Sequence, residues 1–337
     1  MDLRTYVIRR FILMIFVLFG IVVITFVISH VIPADPIGAI LGPQASPELV
    51  EKIRREWGFD KPLHEQFVDY IFKLMKGDLG KSIRTNNPVV EDLLYFFPAT
   101  IELATSAMIV AIAIGIPLGI ISAVKKDKWP DHISRIFALV GVSMPVFWLG
   151  LILLFVLYYK LGIFPGPGRL DPGIPEPPRI TGLITIDSLI SGNFKALLNS
   201  LWHLALPSFV LGYYASASIT RITRTALLEV LNQDYIKTAR SKGLAERVVL
   251  FRHALRNALI PTTTVIGMTY GSLLEGAVLT ETIFAWPGLG RYSTGAFLSV
   301  DFLAVMGTTL LIALIYSLAN LIVDILYAFL DPRIRYA

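Results

Sequence analysis

The five histidines are the residues best suited to metal binding or to proton transfer at neutral pH. They are His30, His64, His132, His203 and His253. None has the H-E-x-x-H spacing of a zinc site, and the chain contains no G-x-S-x-G nucleophile motif. It also contains no cysteine, which excludes thiol catalysis, cysteine-ligated zinc and disulfides. The sequence therefore predicts no enzyme, no metal site and no cofactor on this chain.

A glycine-rich stretch, GDLGKS at 77–82, resembles the end of a phosphate-binding loop. The full loop needs a glycine five residues before Gly80, and this chain has Met75 there. A buried strand must also precede such a loop, and the sequence shows none. Nucleotide binding is therefore not predicted at this stretch.

A carboxylate inside a long apolar run is a candidate for transport chemistry, because a charge at the bilayer centre costs about 2.5–3.5 kcal/mol or more. Glu275 lies in the apolar run 258–284. It could line a solute path and attract an ammonium group, pair with a partner protein, or stay protonated. Ser143, Pro145 and Tyr270 are the other candidates for lining such a path.

Two further acidic residues near the ends of apolar runs have simpler interpretations. Asp324 is expected at the membrane interface, where a carboxylate can reach water. Glu281 is expected to form a structural bond with the loop 285–290. Neither residue is predicted to take part in transport.

The composition of the chain indicates a membrane protein. Hydrophobic residues make up 55% of the 337 residues and charged residues only 16%, with a mean hydropathy of +0.66. The apolar residues form runs of about 20, the length of a membrane-spanning helix. We predict an all-α integral membrane protein with six transmembrane helices. The runs are 11–32, 100–124, 136–159, 204–220, 258–284 and 303–330.

The cations predict the orientation of these spans. Lys and Arg concentrate before the first run, in 125–135, in 221–256 and at the C-terminal end, whereas the short loop 285–302 holds only Arg291. Short cytoplasmic loops carry the excess of positive charge. Both termini are therefore predicted to be cytoplasmic, and the net charge of +5 is assigned to topology rather than to nucleic-acid binding.

Two long segments then lie outside the cell, 33–98 and 160–203. Within 33–98, helical spacing predicts two short amphipathic helices, and these would form a packed cap or a docking surface for an external partner. The first contains Leu49, Ile53 and Trp57, and the second contains Leu63, Phe67, Tyr70, Ile71 and Leu74. The stretch 162–178 is rich in Pro and Gly and predicts an irregular loop. The predicted organisation is 1–32, the external segment 33–98, and a five-helix core at 99–337.

A helix–turn–helix is predicted in the basic cytoplasmic loop at about 224–257. Asp234 is the expected N-cap of the first helix, Gly243 supplies a left-handed turn, and the second helix leads into the fifth span. A generic basic helix beside the membrane would also explain the cations.

This loop resembles the coupling motif, called the EAA loop, of permease subunits of ATP-binding-cassette importers. Ala239, Gly243 and Pro261 match the pattern, whereas Lys237 and Thr238 replace its Glu and first Ala. The chain is similar to the first permease of the peptide and nickel importer subfamily. The ordered segments that carry this resemblance are GDLGKS, PATIEL, SMPVFWLG, DYIKTARSKGL, RHALRNALIP, ETIFAWPGLG and DPRIR.

The resemblance implies a type I importer permease fold in the cell membrane. It implies a homologous second permease, an external solute-binding protein, and two ATPase subunits that hold ATP and magnesium. Contact with an ATPase is expected from 235–244, with Tyr235, Ile236 and Leu244 as the apolar contacts. The ten residues are Tyr235, Ile236, Lys237, Thr238, Ala239, Arg240, Ser241, Lys242, Gly243 and Leu244.

The solute is not readable from this chain. Di- and oligopeptides are the first expectation, and nickel chelates, glutathione and oligosaccharides stay open. The alternative function is a stand-alone secondary transporter or channel that uses Glu275 and needs no cytoplasmic docking helix.

Overall fold

The computed structural model describes residues 3–31, 46, 48, 51, 55 and 60–330. These residues form helices and turns, with one isolated bridge between Lys81 and Pro88. The residues Leu154–Lys160 and Val249–Ala254 form two π-helical turns. The helices are α1 (Leu3–Val31), α2 (Leu63–Met75), α3 (Val89–Val124), α4 (Trp129–Ser143), α5 (Val146–Leu153), α6 (Ile184–Ile190), α7 (Phe194–Leu231), α8 (Asp234–Ser241), α9 (Glu246–Val248), α10 (Leu255–Gly276), α11 (Val278–Ile283), α12 (Leu289–Leu298) and α13 (Phe302–Leu330).

Within the described residues, three helices are long and apolar enough to cross a bilayer. These spans are Val7–Ile28, Val89–Val124 and Phe302–Ile322, and the bent pair α4–α5 would add a fourth. Helices α7 and α10 coincide with the predicted fourth and fifth spans but carry more polar residues. The chain is an all-α membrane protein, and the count of six spans stays a prediction.

The third apolar run, 136–159, is not one straight helix. Helices α4 and α5 meet at an angle of 101°. Met144 at the junction is extended, with φ −90° and ψ 126°, because a residue before proline is sterically excluded from the helical region. Pro145 also cannot donate the N–H bond that would continue α4.

The fifth apolar run is also interrupted. Helix α10 ends at Gly276, and Ala277 breaks the helical path before α11. The predicted uninterrupted run 258–284 therefore consists of a long helix and a short one. Pro261 lies inside α10 without ending it.

Glu281 forms the predicted structural bonds to the loop that follows it. Its carboxylate accepts hydrogen bonds from the Thr100 hydroxyl at 2.7 Å and from the backbone N–H groups of Gly290 and Arg291 at 2.7 and 3.1 Å. The Trp286 indole donates to the Ala99 carbonyl at 2.8 Å. The loop is thereby attached to α3, and the prediction for Glu281 is confirmed.

The core is the pairing of α3 with α7, which approach closely at glycines. A Cβ added to Gly119 would lie 2.6 Å from Cβ of Thr223, and one added to Gly212 would lie 2.6 Å from the carbonyl oxygen of Ala107. Real Cβ atoms do not approach other atoms so closely. The two helices can therefore pack at this distance only because these positions lack a side chain.

The external segment agrees in part with its prediction. The second amphipathic helix is confirmed as α2, whereas the first, with Leu49, Ile53 and Trp57, lies outside the described residues. The stretch 162–178 contains no helix, as predicted. The GDLGKS stretch is structural, since the Ser82 hydroxyl donates to the buried Asp301 carboxylate at 2.6 Å.

Carboxylate side chains attach the irregular loop 162–178 and the residues after it to α3 and α6. Arg169 in the loop donates to Glu102 of α3 at 2.8 Å. Burial raises the pKa of the Asp187 carboxyl, but hydrogen bonds from Thr181 and Gly182 outweigh it and hold the pKa below its usual value. Asp187 is therefore ionised at neutral pH and holds the loop to α6.

The close approach of α3 and α7 predicts that Gly212→Ala destabilises the protein. The new Cβ would strike a backbone oxygen, so the loss should be about 1–3 kcal/mol and should appear as a lower midpoint of thermal unfolding in detergent. The matched control is Gly20→Ala in α1, where an added Cβ meets nothing within 4 Å. Equal midpoints for the two variants would contradict the packing described.

Candidate functional site

The basic hairpin, residues 232–256, has the predicted helix–turn–helix shape. Helix α8 ends before Gly243, which has φ +75°, and the Gly243 N–H donates to the Arg240 carbonyl at 2.9 Å. An added Cβ would meet no neighbour within 4 Å. The glycine is therefore required by its backbone conformation and not by lack of space.

The start of α8 differs from its prediction. Gln233 occupies the N-cap position, and no side chain caps the helix. Asp234 is instead the first helical residue, and its carboxylate accepts from Lys237 at 2.8 Å. An acidic residue in the first turn is favoured by the helix dipole. The expectation that Asp234 is the N-cap is wrong.

One face of α8 is buried against the rest of the chain. Ile236 is fully buried and Ala239 is 8% exposed, in a cluster with Leu227 of α7 and with Val249 and Ala254 of the π-turn. Residues three apart on a helix lie on the same face. The expectation that Ile236 and Ala239 contact a partner is therefore wrong for their side chains, because both are used to seat the hairpin.

The other side of the hairpin presents apolar side chains. Tyr235 is 43% exposed, Leu244 40%, Val248 38% and Phe251 57%. The Tyr235 hydroxyl accepts from the Asn257 amide at 2.7 Å, which fixes the ring. Val248 and Phe251 lie outside the predicted contact range 235–244, although they belong to the apolar string VVLF between charged residues. An exposed apolar group of this kind is typical of a protein interaction site.

Most polar groups of α8 are engaged within the hairpin. Arg240 donates to Glu246 at 2.8 Å across the turn, so a partner's carboxylate would have to compete with this ion pair. The hydroxyls of Thr238 and Ser241 donate to backbone carbonyls of their own helix, both at 3.0 Å. Lys242 is exposed. Exposed ion pairs contribute only about 0–1 kcal/mol each, so apolar contact must dominate any docking.

A buried ion pair connects the helix that carries the hairpin to the rest of the core. Arg224 of α7 donates twice to Asp131 of α4, at 2.9 and 2.8 Å, and the Asp131 side chain is fully buried. The Ser122 hydroxyl and the Asp127 N–H also donate to it. These contacts join α3, the turn and α4 to α7, ten residues before α8 begins.

The predicted path residues lie on two helices, α4 and α10, and at the junction of α4 and α5. Ser143 and Pro145 line an open groove of about 520 Å³ at the bend between α4 and α5. The Tyr270 hydroxyl is hydrogen-bonded to Thr105 at 2.9 Å, which links α10 to α3. Glu275 lies in α10, and its side chain is not among those described. Of the three residues whose side chains are described, only Ser143 and Pro145 share the groove.

The remaining lining of the groove is apolar. It consists of Val140, Met144, Phe147 and Trp148. Within the described part of the chain, no group of three or more His, Asp or Glu side chains could hold a metal ion. The groove has the character of a packing or passage surface rather than of a reaction centre.

The fold defines a multi-pass helical membrane protein, and its basic hairpin exposes four apolar side chains. Residues 115–336 match the family model described as "Binding-protein-dependent transport system inner membrane component", and residues 3–104 match the model of its N-terminal region. The chain belongs to this family. It is a membrane permease component of ATP-binding-cassette import systems, not an enzyme.

Relatives agree with this assignment over nearly the whole chain. The probable D,D-dipeptide transport system permease protein DdpB of Escherichia coli (strain K12) is 48% identical, covering 95% of this chain and 94% of its own. The dipeptide transport system permease protein DppB of Alkalihalophilus pseudofirmus is 46% identical over 98% and 99%. The glutathione transport system permease protein GsiC of E. coli is 37% identical over 98% and 99%.

The buried ion pair predicts a large loss of stability on Arg224→Met. The variant leaves the Asp131 carboxylate buried without its cation, which typically costs about 3–5 kcal/mol. Thermal unfolding in detergent measures the loss, and the double variant Asp131→Asn/Arg224→Met should recover part of it. The control is Arg221→Met, since Arg221 is exposed, and it should leave the midpoint nearly unchanged. Equal midpoints for Arg221→Met and Arg224→Met would refute the anchoring role.

Proposed function

We propose that this chain is one of two homologous permease subunits of an ATP-driven importer that carries di- or oligopeptides. The observation that carries the proposal is the basic hairpin, which is seated firmly on α7 and α10 and leaves Tyr235, Leu244, Val248 and Phe251 exposed. The family supplies the transport function. The relatives named for dipeptide transport favour peptides as the solute.

The partners follow from the family description and from this surface. An external binding protein delivers the solute, and the second permease completes the path across the bilayer. Two ATPase subunits bind ATP and magnesium, and one of them holds the hairpin through the exposed side chains of 235–244 and the added contacts Val248 and Phe251. No nucleic acid takes part.

The hairpin transmits force because it is packed into its own chain. When ATP draws the two ATPases together, the seat formed by Ile236 and Ala239 passes the displacement to α7 and α10. Moving a two-state equilibrium from 1:99 to 99:1 requires about 5.5 kcal/mol of differential binding. ATP binding at two sites can supply a difference of this size.

In the proposed orientation, the hairpin and both termini lie in the cytoplasm. The concentration of Lys and Arg in 221–256 supports this arrangement, as does the near absence of cations in 285–302. The loop 160–203 and the segment 33–98 then lie on the outer side of the membrane, where the binding protein delivers the solute.

The path for the solute would run along α10 and the bend between α4 and α5. Ser143, Pro145, Tyr270 and Glu275 are its proposed lining residues. Glu275 would attract the ammonium group of a peptide. The relative named for glutathione keeps other small peptides open as solutes.

Co-purification with the ATPases tests the assembly. A tagged chain should bring down an ATPase and should support ATP-dependent uptake in proteoliposomes with its binding protein. If no ATPase is recovered and the chain transports solute alone with a proton gradient, the rival function as a secondary transporter is correct.

Gly243→Pro should abolish coupled uptake. Proline fixes φ near −65°, whereas Gly243 has φ +75°, and it removes the N–H that bonds to Arg240. The matched control is Gly192→Pro, since Gly192 follows α6 with φ +69° and donates to Leu189 in the same way. Uptake and ATPase recovery should fall to background for Gly243→Pro alone. Intact uptake in this variant would exclude the hairpin as the coupling element.

Glu275→Gln should lower uptake of a peptide with a free amino terminus by about tenfold relative to its acetylated form, since 1.4 kcal/mol of attraction is a factor of ten. Glu229→Gln is the control, because Glu229 is exposed near the end of α7. Both uptake rates are measured in the same vesicles. Equal loss for the two peptides, or no loss, would argue against a path-lining carboxylate.

A further inference from the structure

Helix α2 in the segment after the first span has two different apolar faces. Phe67 contacts two rings of α1, with centroid distances of 6.5 Å to Phe19 and 5.1 Å to Phe26, and Tyr70 stacks on Phe26 at 6.0 Å. This face attaches α2 to α1 through aromatic pairs. It accounts for only part of the apolar surface of α2.

The second apolar face is exposed. Val68, Phe72 and Met75 are 50%, 56% and 70% exposed, and their spacing of four and three residues places them on one stripe. A charged stripe follows directly around the helix, and Asp69 within it accepts from Lys61 at 2.6 Å. The charged stripe consists of Glu65, Asp69, Lys73 and Lys76.

The depth of α2 follows from its contacts with α1. The apolar span of α1 is Val7–Ile28, 22 residues long. At 1.5 Å per residue, Phe19 lies about 2 Å and Phe26 about 13 Å beyond the middle of this span. Half of the hydrocarbon layer is about 15 Å thick. Phe67 packs on both rings and therefore lies within the hydrocarbon depth.

A helix of this length at this depth cannot cross the bilayer. The 13 residues of α2 extend about 20 Å, whereas crossing needs about 30 Å. The helix must therefore lie along one leaflet, with its charged stripe directed to the headgroups and its apolar stripe to the acyl chains. A sharp division between apolar and charged faces is typical of interfacial helices.

We propose that α2 is a membrane-embedded anchor whose exposed stripe, Val68, Phe72 and Met75, is covered by lipid acyl chains. A water-soluble partner does not reach this depth. Another membrane protein is also disfavoured, because stable protein interfaces bury about 1,200 Å² or more, and three side chains supply far less. Helix α1 also exposes apolar side chains, and its Phe16 is 69% exposed.

Spin labelling tests this proposal, and because this chain contains no cysteine, each single-cysteine variant, labelled before assembly with unlabelled partner subunits, carries one label. Val68→Cys and Phe72→Cys report on the stripe, and Glu65→Cys and Lys73→Cys report on the charged side of the same helix. Phe16→Cys marks lipid and Lys126→Cys marks water. Labels are placed on the whole importer in lipid vesicles, and collisions with oxygen and with a neutral nickel chelate are measured.

Labels at 68 and 72 should resemble the label at 16, with oxygen collisions high and nickel collisions at least about tenfold below those at 126, because polar solutes are largely excluded from hydrocarbon. Labels at 65 and 73 should show low oxygen collisions and high nickel collisions. High nickel collisions at 68 and 72 would place the stripe in water. Low collisions with both reagents would place it against a protein. Either result would overturn the proposal.

Discussion

The close contact between α3 and α7 is the constraint on which the other parts of the structure depend. At Gly119 and Gly212 the partner helix occupies the space of a side chain. This approach fixes the rotation and height of α7 relative to α3. The fixed height allows Arg224 to meet the fully buried Asp131, so the ion pair depends on the glycine contact. The costly desolvation of two charges is compensated only while this geometry is kept.

The contact between α3 and α7 also positions the basic hairpin. Its first helix, α8, starts three residues after α7 ends and is seated by Ile236 and Ala239 on a cluster that includes Leu227 of α7. Because α8, the π-turn and the start of α10 share this cluster, a displacement of the hairpin moves α7 and α10 together. A loosely attached basic helix would absorb such a displacement in its own flexibility. In the proposed coupling, the packing of the hairpin therefore matters as much as its exposed surface.

Buried polar groups connect the segments at the opposite end of the core. Glu281, Thr100 and Trp286 connect the loop after α11 to α3, and Glu102 connects the irregular loop to the same helix through Arg169. Each carboxylate accepts several hydrogen bonds, which offsets the cost of burying it. Helix α3 is therefore attached to neighbouring segments at both ends.

The sequence by itself determined the helical membrane class, the helix–turn–helix shape of the loop, the left-handed Gly243 and the amphipathic α2, because each depends on local spacing and composition. Only the tertiary structure decided which side of α8 is buried, that Arg224 meets Asp131 93 positions away, and that the third run bends by 101°. Contacts between distant segments leave no periodic signal in the sequence. Proline 145 signals a bend, but neighbouring helices set its angle. Burial of one amphipathic face likewise depends on which neighbour the fold brings against it.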